Sequence, residues 1–263
     1  MLFKAPRFFF GDHVHVAVLF TTHFLNATII DRFTSIDVGD KYKKWLLYDC
    51  DVDPVTLREF EMVEEQLVRI DYPKIVSSGF KPIWRKMIPG SNHFMALEFM
   101  EKHQEYSHVW VVEYDVCYTG SWNEFFSTFD ARVDFLSTKI RRQPDNPNWP
   151  FWRSFKTPAG KCAPNQLLAS FNPLYRLSRT GARHLRNCFL NGWVGHHEVT
   201  MATLLNDASY CIEEIGGNGG FTPSHRVNQF YSEQSFRWRP AISLHQNATL
   251  PNTLYHPVKL GRK

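Results

Sequence analysis

Two carboxylates one residue apart close an apolar run, Val109-Trp110-Val111-Val112-Glu113-Tyr114-Asp115-Val116-Cys117-Tyr118-Thr119-Gly120. The run is β-branched and aromatic, as in a strand buried on both faces. Side chains two apart on a strand share a side, so Glu113 and Asp115 can converge on one cation or one polar ligand. In an open α/β sheet the carboxyl ends of the strands are where ligands bind. The same pair would also suit a solvated turn, so other residues must decide. Asp115 is the first choice for a metal ligand, because hard divalent cations such as Mg²⁺ or Mn²⁺ prefer carboxylate oxygen. Glu113, with its longer arm, suits either the metal or a ligand hydroxyl.

A second chemical group lies at Trp193-Val194-Gly195-His196-His197-Glu198. Glu198 opens a helical stretch after a glycine-containing turn, which can set a carboxylate in a cleft as a general base. His197 is the alternative base, since imidazole titrates near neutral pH. An acid in a first helical turn also stabilises the helix without any catalysis. Trp193 between Gly192 and Gly195 offers a flat platform, and the glycines permit close backbone approach. Trp149, Trp152 and Arg153 fall in a Pro- and Asn-rich stretch over 141–164 and fit either a sugar-stacking loop or a lid. Late in the chain, His245 and His256 both qualify by type as a further metal ligand.

These groups need a frame to hold them. Strands are expected at 15–20, 44–48, 74–76, 109–112, 134–139, 173–178 and 210–215. Helices are expected at 25–33, 55–70, 94–103, 122–129, 181–189 and 196–206, with Thr180 as the cap of the fifth. Strand and helix alternate through the first half, which argues a mostly parallel central sheet flanked by helices in one α/β domain. Gly216–Gly220 reads as a flexible break, and 237–263 as a tail without a period. No linker divides the chain.

Composition places the chain among soluble globular proteins. The chain has 263 residues, 43% hydrophobic and 15% aromatic, enough for one sizeable core. A net charge of +4 fits an anionic small molecule or peripheral contact with an anionic membrane surface, and is too weak to argue nucleic acid. No eighteen-residue apolar run is present, so no membrane span is expected. The first twenty residues are interrupted by Arg7, Asp12, His13 and His15 and make a poor signal peptide. Five cysteines without a C-x-x-C pair suggest reduced thiols and a cytoplasmic setting.

The order of three segments resembles the GT-A class of nucleotide-sugar glycosyltransferases. Val111-Val112-Glu113-Tyr114-Asp115 stands where that class carries its acid-x-acid metal motif, with Glu in the first place where Asp is commoner. Asn172-Pro-Leu-Tyr-Arg-Leu-Ser-Arg-Thr-Gly181 is similar to the strand and helix start before the acceptor site. Trp193-Val-Gly-His-His-Glu198-Val-Thr-Met-Ala-Thr-Leu-Leu205 is similar to the helix whose first acid faces the acceptor. The resemblance implies a GT-A-like, Rossmann-type domain over 1–263, with a nucleotide-binding half to about residue 140 and an acceptor-binding half after it. It implies a nucleotide-sugar donor, a glycan or glycolipid acceptor, and Mn²⁺ or Mg²⁺. It places Thr21, Thr22, His23 and Asp49 at the nucleotide, Glu113 at the ribose or metal, His256 rather than His245 on the metal, and Lys259 at the phosphates. It puts Trp193, Gly195 and Trp152 on the acceptor side and Glu198 at the reacting hydroxyl of an inverting transfer.

Rival readings remain beside it. A nucleotidyltransferase would want a Gly-rich, basic loop after the first strand, and Thr21-Thr22-His23-Phe24-Leu25 has no glycine. A glycoside hydrolase would use two carboxylates and no nucleotide. A non-catalytic carbohydrate-binding module fits the aromatic content but not the acid pair.

Overall fold

The structure, a computed structural model, describes residues 16–50, 61–244 and 249–259. His245 lies outside the described residues. A seven-stranded sheet runs in the order β3 (Leu67–Arg69), β2 (Tyr42–Tyr48), β1 (Val16–Thr22), β4 (His108–Glu113), β7 (Leu168–Ser178), β6 (Phe135–Arg142), β8 (Ile212–Glu214). Only β7 opposes its neighbours; β3, β2, β1 and β4 pair in parallel, and so do β6 and β8. This is the mixed, mostly parallel, Rossmann-like sheet expected from the alternating pattern, in a single domain.

Helices cover both faces. Alternation along β4 sends Val109 and Val111 into one core and Trp110 and Val112 into the other. The first core packs against α3 (His93–Lys102), α5 (Arg179–Leu190) and α6 (His197–Asp207). The second packs against α1 (Ala27–Ser35) and α4 (Trp122–Ser127). By the same alternation Glu113 emerges on the α3–α6 side of the sheet. Asn26 caps α1 through its side chain, which accepts from the Ile29 N–H at 3.0 Å.

Four expectations are corrected. Residues 74–76 lie in a helix, α2 (Tyr72–Ser77), whose first turn carries Pro73; the third strand is Leu67–Arg69. Part of the expected helix over 55–70 lies outside the described residues, and 61–66 form a 3₁₀ turn. Ser178, not Thr180, caps α5, because its hydroxyl accepts from the Gly181 N–H at 3.0 Å. The expected loose glycine break is a close-packed seat, in which a Cβ on Gly217 would come within 2.1 Å of a Glu214 carboxylate oxygen.

The tail is also built in. β9 (Leu254–Tyr255) pairs antiparallel with β5 (Cys117–Tyr118), and single bridges join Phe236 to His256 and Ile242 to Val258. Isolated bridges carry no period, which is why the segment reads as structureless. This pairing brings the chain end to the turn that follows Asp115.

A carboxylate and histidine site at the end of the central strand

The turn after β4 is fixed by its backbone. The Tyr114 N–H donates to the Thr21 carbonyl at 3.0 Å, and the Val116 N–H to the Glu113 carbonyl at 2.9 Å. Arg32 Nη2 donates to the Val116 carbonyl at 2.8 Å. From the tail, the Val258 N–H donates to the Asp115 carbonyl at 2.8 Å. Asp115 is thereby held from two sides.

His256 completes the group. Its Nδ1 lies 2.8 Å from the Arg237 carbonyl, which can only accept, so Nδ1 carries the proton and Nε2 turns to Asp115. Nε2 stands 3.4 Å from Asp115 Oδ1. One donor atom each from Glu113, Asp115 and His256 lies within 4.8 Å of the others. Asn92, at the start of α3, orients Glu113 by donating from Nδ2 to Oε1 at 2.6 Å. Asp115 Oδ1 and Asn92 Oδ1 are buried without hydrogen-bond partners. An unpartnered buried carboxylate oxygen beside a second acid and an imidazole is the donor set that a divalent cation satisfies, so the residues fit Mn²⁺ or Mg²⁺.

Electrostatics point the same way. Burial, and then the Asp115 charge, push the Glu113 pKa up to about 8. Burial opposes charge on His256, but the contacts with Asp115 and then Glu113 outweigh it and raise its pKa. Without a cation, burial and the neighbouring carboxylate favour a proton on Glu113.

Glu198 belongs to the same neighbourhood, since its charge is felt at Glu113. It occupies the second position of α6, and its backbone N–H donates to Nδ1 of the capping residue His196 at 3.3 Å. Its carboxylate has one long contact, 3.5 Å from the Asn172 N–H on β7, and lies 3.7 Å from His196 Nδ1. Burial lifts its pKa to about 8 against that weak backbone contact. His197, the alternative base, is elsewhere: its ring is buried, stacked 5.8 Å from His93, and its Nδ1 has no partner.

On the β1 side, Thr21 and Thr22 are the buried last residues of the strand rather than a loop after it. The Thr22 hydroxyl donates to the Phe24 carbonyl at 2.7 Å. His23 is exposed, packs its ring on Tyr114 at 5.2 Å, and senses the charges of Asp49, Asp115 and Lys86. Asp49 is half-buried, with its pKa raised by burial. His23 and Asp49 thus sense one another's charge, though burial dominates the shift of each. Lys259 is exposed, next to the residue whose N–H holds Asp115.

On the far side, Trp152 is buried with its indole N–H donated to the Asn146 carbonyl at 2.7 Å, so it anchors the 149–155 loop from within. Trp193 is half-buried against Phe155, and Gly195 is buried. The aromatic surface beside Glu198 comes from other residues. Phe151 stacks on His196 at 4.1 Å, Trp149 lies 5.3 Å from Phe151, and Trp84, 41% exposed, lies 6.2 Å from it. Sequence reasoning missed Asn92, Lys86 and Trp84. A Trp in the basic, proline-containing stretch Lys81-Pro-Ile-Trp-Arg-Lys86 was the available signal for the last.

Fold and site together define a Rossmann-like α/β domain with an acidic ligand set at the carboxyl end of its central strand. Residues 55–144 match a family described as a protein of unknown function, DUF3405. No curated protein matches. Among solved structures, the chain is similar to the mannosyltransferase PcManGT from Pyrobaculum calidifontis in complex with GDP-Man and Mn²⁺. The identity is 14% and the TM-score 0.44, over 81% of this chain and 55% of that one, so the chain spans about half the length of that neighbour.

Proposed function

We propose that this chain is a metal-dependent glycosyltransferase that moves a sugar from a nucleotide-sugar donor to a hydroxyl of a glycan or glycolipid acceptor. The observation that carries the reading is the convergence of Glu113, Asp115 and His256 at the end of β4, with Glu198 on α6 near enough for its charge to raise the Glu113 pKa. Bound there, Mn²⁺ or Mg²⁺ would neutralise the diphosphate leaving group.

The remaining roles fall to the protein. Asp115 and His256 Nε2 hold the cation, and Glu113, steadied by Asn92, holds the cation or the ribose. His23 and Asp49 border the nucleotide, with the buried ends of β1, Thr21 and Thr22, as its floor. Lys86 and Lys259 supply positive charge at the phosphates. Glu198 takes the proton of the attacking hydroxyl, as an inverting transfer requires of one base. Its raised pKa makes it a strong acceptor for that proton once ionised. Trp84, Trp149 and Phe151 offer the acceptor sugar an apolar face, with Trp193 and Gly195 further along the same side. In this reading residues up to about 140 mainly serve the donor, joined by His256 and Lys259 from the tail, and the rest, joined by Trp84, serve the acceptor.

A thermal-shift series with UDP, GDP, CDP and dTDP sugars, with and without Mn²⁺, tests it. A ligand at a hundred times its dissociation constant stabilises by about 2.7 kcal/mol. A shift that needs Mn²⁺ and disappears in Asp115→Asn supports the assignment. No shift with any nucleotide sugar contradicts it.

A further inference from the structure

The same sheet edge carries a cavity, beyond the triad, at the ends of β6 and β8. Its volume is about 430 Å³, and Lys139, Arg141, Glu214, Asn218, Asn228 and Gln234 are among its lining residues. Glu214 is 2% exposed, and its Oε2 is buried without a hydrogen-bond partner. Its other oxygen accepts a short hydrogen bond from the Tyr231 hydroxyl. Gly217 and Gly219 lie against that carboxylate, where a Cβ on either would collide with it. The acid is therefore held in place by a tyrosine and two glycines, with the backbone of Lys139 and Ile140 close by.

The charges of this cavity balance. Lys139 Nζ and Arg141 Nη2 both pair with Glu233, at 2.5 and 2.6 Å, and Glu214 supplies the second negative charge. A balanced lining gives no net attraction for a phosphate or for an ammonium group. The rest of the wall consists of three side-chain amides and two hydroxyls, Tyr231 and Ser232. Groups that both donate and accept, around one fixed acceptor, match a ligand made of hydroxyls. One aromatic layer separates the cavity from the triad: the Phe171 ring lies 5.2 Å from the His256 ring and 5.9 Å from Lys139 Nζ, and Phe236 lies between His256 and Tyr231.

We infer that this cavity is a binding site for a neutral, polyhydroxylated sugar unit, engaged by Glu214, Asn218, Asn228 and Gln234. Its assignment to the acceptor chain, as a unit flanking the one that reacts, rests on the transferase reading above.

Saturation-transfer NMR with lactose, cellobiose and maltose as probes tests it on the whole chain. At least one of them is expected to bind the parent protein. Asn218→Ala combined with Asn228→Gly should weaken that binding about tenfold, the loss of a hydrogen bond or two. Glycine is chosen at 228 because Asn228 has φ of 58°. Gln234→Ala, at an exposed position, provides a milder change of the same sign that leaves the buried structure alone. Failure of all three disaccharides to bind, or equal binding by parent and variants, overturns the inference. Titration of UDP and GDP with Mn²⁺ on the same samples separates the two claims. Nucleotide binding without saccharide binding sinks this inference alone. Saccharide binding lost in the variants, without any nucleotide binding, keeps the cavity and sinks the transferase reading.

Discussion

At the end of β4, Glu113, Asp115 and His256 point donor atoms at one shared space. A short way along the same edge His93, His196 and His197 are also buried and pack ring against ring: His93 and His197 are 5.8 Å apart and nearly parallel, and His196 lies tilted 4.8 Å from His197. Both clusters leave polar atoms without partners, including both ring nitrogens of His93. In the first, the orphaned lone pairs converge. In the second, ring packs against ring, and Phe94 and Phe189 close on the His93 ring at 4.0 and 4.8 Å. The electrostatics divide in the same way. Glu113 is driven toward the protonated form by burial and then by the Asp115 charge, which a cation would relieve, whereas burial drives the histidines toward neutrality. A count of buried ionisable groups would rank the two clusters together; convergence of their atoms tells a ligand site from packing.

The largest expected effect that separates them is at Asp115. Asp115→Asn should lower transfer about a thousandfold, the scale of several kcal/mol of lost charge stabilisation, while the thermal midpoint of the metal-free protein holds. Turnover near that of the parent, or full parent activity in EDTA, would place Asp115 with the packing residues. Next is Glu198→Gln, expected to lower turnover about a hundredfold with donor affinity unchanged. His197→Ala should be milder in turnover, since its ring lies in the stack; the reverse ranking, measured by steady-state kinetics on both variants, would exchange their roles.

A smaller effect is expected on the acceptor side. Trp84→Ala should raise acceptor KM by about tenfold or less with little change in kcat, an aromatic face being worth on the order of 1 kcal/mol. A fall in kcat at constant KM would contradict a binding role.

The smallest effect concerns stability. His93→Leu removes two buried, unpartnered nitrogens, so its stability should lie within about 1 kcal/mol of the parent or above it. The pH dependence sharpens this. The ordinary histidine pKa is 6.5, and in the fold His93 is lowered to about 3 and His196 to about 4. The unfolded chain therefore binds protons that the folded one refuses, and stability present above pH 6.5 is lost as pH falls toward 4. His93→Leu should flatten that loss, though not abolish it, because His108 is lowered to about 4 as well. Glu198 has the opposite sign: raised from 4.5 to about 8, it contributes stability below 4.5 that is lost as pH rises through 8. Glu198→Gln should thus gain on the parent in alkaline melts. Parallel melting curves across pH for both variants would show the histidine model to be wrong.

Much of the frame around the site was legible because its signals are periodic or terminal. β4 is an unbroken apolar run ending in acids, and Asn26 is a side-chain cap at the start of an apolar stretch. The start of α6 at His197 follows from a glycine turn and an acid in the first turn. What escaped has no period. β3 is three residues long and holds its place only by pairing with β2, while Ile75 and Val76 have strand-like side chains in a helix whose real marker is Pro73. Ser178 and Thr180 are both hydroxyl residues two apart, and only the Gly181 N–H chooses between them. Asn92 reaches Glu113 across 21 residues, a contact made by the sheet and invisible in any local window. The placement of His256 depends on two bridged strands of two residues each, which is why composition alone made the tail look loose.

The convergence of Glu113, Asp115 and His256 is tested most directly by Mn²⁺ titration followed by electron paramagnetic resonance, with and without UDP or GDP. The expected result is one Mn²⁺ site per chain, strengthened by nucleotide, lost in Asp115→Asn and weakened in His256→Ala, but untouched in His93→Leu. Mn²⁺ binding that is equal in all four proteins, or absent from the parent even with nucleotide, would contradict a metal site at the end of β4.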